Sequence, residues 1–260
     1  MIHQSKSFIK FVRLSKNKHG LHSPFVYDLV TKCFNDKTKY PEYEILKKHR
    51  QALRKDASMI EMKDFGQGSR VFKGNARKVS SVVKNAGMKK KRQKLLFRLA
   101  SYFKSENILE LGTSLGLGTA ALSVSNKNAS VKTVEGCPNT AKKTSEYFKK
   151  FNLKNIEIHQ KTFDEFLLET RSLGTEKYDL IFVDGDHNGG RTLGYFNSLL
   201  EKVHNNSVII FDDIYWSKDM TAAWQQIIAN ENATVSIDTF QWGLVFFRKE
   251  QPKQHFIIRI

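Results

Sequence analysis

A short buried strand that turns through glycine residues into a helix constrains this chain more than any other feature. Residues 107–122 are NILELGTSLGLGTAAL, in which the apolar run at 108–111 is too short for a helix and Gly112, Gly116 and Gly118 follow at once. The pattern predicts a helix beginning near Leu115. Glycines at such a turn allow positive φ and close approach of a ligand to the backbone. Because the first helical turn offers N–H groups without intrahelical acceptors, the stretch predicts a nucleotide-type binding loop in an α/β fold.

Glu110 indicates which ligand this loop would accept. The dinucleotide fingerprint Gly-x-Gly-x-x-Gly receives a pyrophosphate, whereas this chain has Glu-x-Gly-x-x-x-Gly-x-Gly, with a carboxylate that would repel phosphate and favour a cationic ligand. The stretch resembles the first motif of class I S-adenosylmethionine (SAM)-dependent methyltransferases, whose donor carries a sulfonium and an ammonium. An ordinary strand-to-helix turn is the alternative. The resemblance implies donor contacts from Glu110, Gly112, Thr113, Ser114 and Gly116.

The charge of the chain is unevenly distributed. The formal net charge is +17, and residues 1–104 contain 26 Lys/Arg against 7 Asp/Glu, whereas residues 105–260 contain 17 against 19. A basic segment attracts polyanions such as RNA or anionic lipid headgroups, and it also keeps a protein soluble. Since the cations are spread over several predicted helices, we expect polyanion binding to be weak and salt-sensitive.

The first hundred residues predict helices rather than a sheet. Helical periodicity covers the segments 3–18, 23–36, 41–58, 77–85 and 90–103. The glycine-rich residues 63–75 predict a loop that either connects helices or forms a lid carrying Asp64 or Arg70. We therefore expect residues 1–104 to form a basic helical N-terminal extension.

Strands and helices alternate in residues 105–260, which we expect to form the second domain. Alternation of this kind specifies a parallel sheet covered on both faces. Residues 234–240 and 243–248 are joined by only two residues, too few for a parallel crossover, and so predict an antiparallel hairpin. The fold class predicted is α/β, with a Rossmann-like, seven-stranded, mostly parallel sheet and a C-terminal antiparallel hairpin. This order resembles the class I methyltransferase domain over roughly residues 105–250.

Further donor contacts are expected where the second and third predicted strands end. Glu135, with Gly136 beside it, ends the second strand, where doubly wound folds place a carboxylate that accepts the ribose hydroxyls. A solvated acid at the strand end is the alternative. Phe163 and Asp164 follow the third strand, and the resemblance implies that they contact the adenine; aromatic packing in the core is the alternative there.

Acidic residues also follow the fourth and fifth predicted strands. Asp184 begins the sequence Asp-Gly-Asp-His after the fourth strand, and Asp212 and Asp213 follow the fifth. The carboxyl ends of neighbouring parallel strands meet at one edge, so we expect these three carboxylates to converge. Converging carboxylates need neutralisation, and their oxygens suit Mg²⁺ or another divalent ion. Acids that merely cap the loops are the alternative.

The set of Asp184, His187, Asp212 and Asp213 resembles that of metal-dependent O-methyltransferases of the catechol type. It resembles more closely the set of the macrocin type, which methylates sugar hydroxyls. The resemblance implies that Asp184 has a catalytic role and also contacts the donor. The catechol type has Asp-Asn in place of Asp212 and Asp213, and a lysine where His187 stands. His187 is the candidate base, because histidine exchanges protons near neutral pH; a histidine that only bonds a carboxylate is the alternative.

The function predicted is methyl transfer from SAM to a hydroxyl oxygen of a small molecule, of sugar or phenolic type, with a divalent metal. One alternative is an RNA methyltransferase that uses the basic segment, although the Asn/Asp-Pro-Pro-Tyr/Phe motif of many base-amino methyltransferases is absent. Another is a non-catalytic binding module.

The sequence also predicts a cytoplasmic protein. No apolar run approaches the ~18 residues of a membrane span, and the basic first twenty residues lack the apolar core of a secretory signal. Cys33 and Cys137 lie far apart without metal-type spacing, so we expect free thiols. The oligomeric state stays open.

Overall fold

The computed structural model describes residues 2–16, 20–63, 65, 74–172 and 176–260. Its helices are α1 (Ile2–Leu14), α2 (Pro24–Leu29), α3 (Glu42–Lys55), α4 (Val79–Asn85), α5 (Lys90–Tyr102), α6 (Leu117–Ser123), α7 (Pro138–Lys150), α8 (Phe163–Ser172), α9 (Gly189–Leu199) and α10 (Lys218–Ala229). Its strands are β1 (Met59–Glu61), β2 (Ala76–Lys78), β3 (Asn107–Leu111), β4 (Ser130–Val134), β5 (Ile156–His159), β6 (Leu180–Val183), β7 (Val208–Asp212), β8 (Val235–Asp238), β9 (Trp242–Phe246) and β10 (Gln254–Ile257).

The residue contacts divide the chain into two compact units. Unit 1 contains residues 1–35 and 167–260, and unit 2 contains residues 36–166. The contacts divide the chain near residues 35 and 166, and the domain boundary expected between residues 104 and 105 stays a prediction. Residues 36–104 belong to the same unit as the glycine loop, because α3 and α5 pack against α6.

The main sheet has eight strands in the order β10-β8-β9-β7-β6-β3-β4-β5. In unit 2, β4 pairs in parallel with β3 and with β5. In unit 1, β6 and β7 are parallel, whereas β9 is antiparallel to both β7 and β8. The α/β fold, the mostly parallel sheet and the terminal hairpin are therefore confirmed.

Two features of the strands differ from the sequence prediction. The eighth strand, β10, pairs in parallel with β8; four residues at the end of the chain are too few for their periodicity to separate a strand from a tail. The second feature is the antiparallel pair β1 and β2 in the segment expected to be helical. Asp64 and Arg70, the residues of the expected lid, lie outside the described residues.

Local sequence signals explain where several elements begin. Ser23 caps α2, whose first residue is Pro24. The N–H groups of Arg191 and Met220 are bonded by the cap side chains of Asn188 (3.0 Å) and Ser217 (3.0 Å), at the starts of α9 and α10. All residues of β6 and β7 are buried, as expected for strands inside a parallel sheet.

Cys33 and Cys137 are both buried and form no disulfide, as predicted.

None of the described helices combines the length and the apolar character needed to cross a lipid bilayer.

Candidate active site

The glycine loop between β3 and α6 adopts the conformation that its sequence indicates. Gly112 and Gly116 have φ values of 110° and 70°, and Ser114 between them has a φ of 47°. A Cβ atom at Gly116 would overlap the ring of Phe148, so this position needs glycine for space as well as for backbone conformation. Ser114 is exposed and Gly112 is half-buried, so the start of the loop is open to a ligand.

Glu110 is inside the protein rather than at the surface of the loop. Its side chain is 1% exposed, and Oε2 accepts hydrogen bonds from the hydroxyls of Thr119 (2.5 Å) and Thr133 (2.6 Å). Burial raises the pKa of Glu110 to about 7, although both hydrogen bonds act in the opposite direction. The threonines lie on α6 and β4, and Thr133 also bonds the hydroxyl of Thr113 at 2.7 Å. Glu110 therefore joins β3, β4 and the loop, while its contact with a donor stays a prediction.

Glu135 lies directly after β4 and contacts the glycine loop. Its Oε2 accepts the N–H of Ser114 at 2.8 Å, and its Oε1 accepts the N–H of Cys137 at 2.9 Å. An ionised carboxylate has about four acceptor positions, so both oxygens can take further donors. This geometry fits the two hydroxyls of a ribose beside the loop.

An aromatic side chain that the sequence prediction missed lies against Gly136. An ideal Cβ atom at Gly136 would be 2.8 Å from the ring of Phe65. The neighbouring residue Lys63 donates its N–H to Cys137 Sγ at 3.3 Å, which holds this segment beside the end of β4. The feature of the sequence that indicates this contact is a phenylalanine within a glycine-rich stretch. The packing makes Phe65 a candidate wall of the donor site.

Phe163 and Asp164 form the start of α8, shortly after β5 ends. Phe163 is half-buried and Asp164 is exposed. Glu165 accepts the Thr162 N–H at 2.8 Å and fixes this helix start. The position matches the expected edge of the sheet, and the contact with adenine stays a prediction.

In unit 1, the turn after β6 has two consecutive residues in left-handed conformation. The φ values are 65° for Asp186 and 51° for His187, and such conformations cost about 1–3 kcal/mol each in non-glycine residues. Asp186 offsets this cost because Arg191 Nε (2.8 Å) and the Tyr195 hydroxyl (2.8 Å) hold its carboxylate. The turn therefore has a fixed shape that presents His187.

The imidazole of His187 packs against Trp216, which follows β7. The ring centroids are 5.3 Å apart with an interplanar angle of 33°. The loops after β6 and β7 thus meet, as expected for neighbouring parallel strands. The neighbouring Tyr215 bonds Asp238 Oδ2 at 2.5 Å, and Trp242 is 1% exposed within β9.

Asp212 and Asp213, two of the three carboxylates proposed for a metal, lie where β7 ends. Asp212 is 8% exposed, and its Oδ1 accepts the N–H of Asp213 at 2.9 Å. Asp213 has a φ of 52°, and its N–H also bonds the carbonyl of Gln241 at 2.8 Å. Within the ranges that the structure covers, no three or more His, Cys, Asp or Glu side chains could hold a metal ion. The convergence of Asp184 with Asp212 and Asp213 stays a prediction, and we assign no chemical step to a metal.

The chain is similar in sequence or in fold to several known proteins. Residues 109–214 match the family model described as a methyltransferase domain. The fold is similar to that of a Podospora anserina methyltransferase solved with S-adenosylhomocysteine (TM-score 0.61, 16% identity, 88% of this chain and 97% of that chain). It is also similar to that of a SAM-bound O-methyltransferase of Streptomyces achromogenes involved in tomaymycin synthesis (TM-score 0.58, 16% identity, 86% and 96%). An uncharacterised protein of Acanthamoeba polyphaga mimivirus is 27% identical over 152 residues, covering 54% of this chain and 67% of that protein.

The glycine loop and Glu135 lie within residues 109–214, the range that matches a methyltransferase domain. The likeness to these two solved methyltransferases lies in the fold, and it extends over most of the chain.

Proposed function

We propose that the protein transfers the methyl group of SAM to a hydroxyl oxygen of a small molecule of sugar or phenolic type. The observation that supports the donor half is the hydrogen bond from the Ser114 N–H to Glu135, because the carboxylate that we propose for the ribose lies beside the glycine loop. The acceptor half is supported by the fold shared with O-methyltransferases and by the loops that present His187.

The donor would be held by residues of unit 2. The amino-acid part of the donor would lie against the glycine loop from Gly112 to Ser114, and the carboxylate of Glu135 would accept the ribose hydroxyls. Phe65 would pack against the nucleoside near Gly136. When bound, SAM supplies a methyl group made electrophilic by the sulfonium. Glu110 would act from inside the protein, where its hydrogen bonds keep β3, β4 and the loop in place.

The acceptor side of the proposal rests on unit 1. A neutral His187 would take the proton of the acceptor hydroxyl at an imidazole nitrogen, which raises the nucleophilicity of the oxygen. Trp216 would offer a flat apolar surface for the ring of a sugar or phenol. Asp184 remains a proposed orienting residue at the end of β6.

A labelled-methyl screen tests the function. Purified protein is incubated with methyl-labelled SAM and a cell extract, which is then separated into small molecules, RNA and protein. We expect label in the small-molecule fraction, and less of it with His187→Ala than with the surface variant His22→Ala. Label in RNA would instead establish the RNA methyltransferase, and no label in any fraction would favour the non-catalytic binding module.

Weak polyanion binding is a second proposal, and two grooves in unit 2 support it. A groove of about 630 Å³ along α7 and β5 is lined by Lys142, Lys149 and Lys154. Another of about 490 Å³ is lined by lysines of α3 and α7, including Lys48 and Lys55. The cations thus come from α7 as well as from the first hundred residues. RNA affinity that falls steeply with salt is expected, and affinity that survives high salt would contradict this proposal.

A further inference from the structure

A small cleft between α3 and α5 gathers more positive charge than either groove described above. It encloses about 180 Å³ and is lined by five basic side chains: Lys47, Arg50, Arg54, Lys90 and Lys94. None of the described residues that line it is acidic. Glu44 lies beside it and pairs with Lys47 at 3.1 Å, where both side chains are largely exposed. The described cleft therefore keeps a large excess of positive charge.

Two of these cations are partly buried and repel their neighbours. Burial, followed by repulsion from Arg54, lowers the pKa of Arg50. Burial also lowers the pKa of Lys94, with further contributions from Lys90 and a nearby arginine against a small opposite effect of Glu44. Cations that destabilise one another in this way gain stability when an anion lies among them.

The guanidinium of Arg50 is held in place by a buried glutamine. Gln93 is 2% exposed, and its Oε1 accepts from Arg50 Nη2 (2.7 Å) and Nε (3.3 Å). Gln93 Nε2 in turn donates to the carbonyl of Leu117 at 2.7 Å, which fixes the amide. Lys94 Nζ is also positioned, at 4.2 Å from the centroid of the Tyr43 ring. A buried glutamine that orients an arginine is a feature of a built anion site rather than of a solvated charged surface.

The size and the donors of the cleft select one kind of anion. The volume of about 180 Å³ suits one or two phosphoryl groups rather than a whole nucleoside. Arginine forks and lysine ammoniums are the usual partners of phosphate oxygens. The first turn of α5 contributes Lys90, Gln93 and Lys94, and its N-terminal end, which has no side-chain cap, adds further positive potential.

We propose that the cleft between α3 and α5 binds the terminal phosphate or diphosphate group of a phosphorylated molecule. An internal phosphodiester of RNA carries a single charge and is flanked by nucleosides, so it satisfies this enclosed, highly charged cleft less well. The inference does not depend on the methyl-transfer proposal, because none of the five cations belongs to the donor loop or to the turn that carries His187.

Calorimetric titration of the full chain with tripolyphosphate at fixed low salt tests the proposal. We expect one saturable site, weakened about tenfold or more in the double variant Arg54→Gln/Lys90→Gln, since each residue removed supplies charge-assisted hydrogen bonds. Both residues are exposed, so folding should be unaffected, and thermal unfolding checks this. The matched control is Lys127→Gln/Lys249→Gln, which removes the same net charge from two exposed positions outside the cleft and outside both lysine-lined grooves, and should change the affinity less than twofold.

Equal losses in the two double variants, or no saturable binding to the wild type, would overturn the proposal. Vesicles containing phosphatidic acid distinguish the sources of the phosphate: binding that the cleft variant loses assigns a lipid headgroup, and binding to tripolyphosphate alone assigns a free phosphorylated molecule. The proposal would also be overturned if a single-stranded RNA bound more tightly than tripolyphosphate and the cleft variant lost this binding. The ligand of the cleft would then be RNA.

Discussion

A buried histidine in unit 2 should make the protein sensitive to acid. His49 is 0% exposed, and both ring nitrogens lack a hydrogen-bond partner within the described residues. It lies among aromatic rings, with Phe151 at 5.2 Å and Tyr147 at 6.0 Å between ring centroids. Burial, followed by the charge of Arg50, lowers the pKa of His49 to about 4 from its usual 6.5. We therefore expect His49→Phe to remove much of the loss of stability below neutral pH.

The sign and size of the effect follow from proton linkage. Between pH 6.5 and pH 4 the unfolded chain binds a proton at His49 that the folded chain does not, so stability falls as the pH falls through this window. At pH 4.5 the loss approaches about 2.5 kcal/mol, since one unit of pKa corresponds to about 1.4 kcal/mol. Any cost of fitting the larger phenyl ring is independent of pH and leaves the difference in slope intact.

Urea unfolding of the wild type and His49→Phe at pH 7.5 and pH 4.5 measures this effect. The stability of the variant relative to the wild type should increase by about 2–3 kcal/mol at the lower pH. Contributions of other titrating groups cancel in the comparison, because both proteins contain them. The surface variant His22→Gln should show no comparable gain. A difference between His49→Phe and wild type that is the same at both pH values would refute the reasoning.

Three further predictions concern the candidate site. Because the pKa of Glu110 is raised to about 7, the free energy of unfolding decreases as the pH rises from 4.5 to 7. Over that window the stability of Glu110→Gln should increase by up to about 3 kcal/mol relative to wild type, as measured by urea unfolding. Gly136→Ala should displace Phe65 and weaken binding of S-adenosylhomocysteine, whereas Gly194→Ala, where a Cβ atom meets open space, should not; equal affinities would exclude Phe65 from the donor site. Once an acceptor is found, His187→Ala should lower kcat by ~10²–10⁴-fold, with partial recovery at raised pH. An unchanged kcat would exclude His187 as the general base.

The sequence predicted the parts of the fold that depend on strong local patterns. The strand, glycine loop and helix at residues 107–123 combine an apolar run with glycines that the backbone needs, and the hairpin follows from a connection too short for any other pairing. The short strands β1, β2 and β10 have three or four residues each. Their pairing depends on distant partners, which local periodicity does not show. The cytoplasmic location stays a prediction.

The candidate site was predictable where it depends on topology and not where it depends on rotamers and turns. Glu135 contacts the glycine loop because the order of the strands places it there. The carboxylate of Asp212 bonds the backbone of its own turn, and Glu110 faces inward to two threonines; neither orientation can be derived from spacing. The packing of Phe65 on Gly136 is a contact across 71 residues of sequence, and motif spacing contains no information about it.

Calorimetric titration with S-adenosylhomocysteine tests the central claim, a donor site formed by the glycine loop and Glu135, most directly. We expect one site on the wild type, and a loss of about 1.5–3 kcal/mol in Glu135→Ala, since charge-assisted hydrogen bonds to the ribose are removed. Gly112→Val should abolish binding, because its side chain enters the space of the ligand at a φ of 110°. Glu157→Ala, which removes an exposed acid on β5, is the control and should bind as wild type does. No binding to the wild type, or equal binding to Glu135→Ala, would contradict the account.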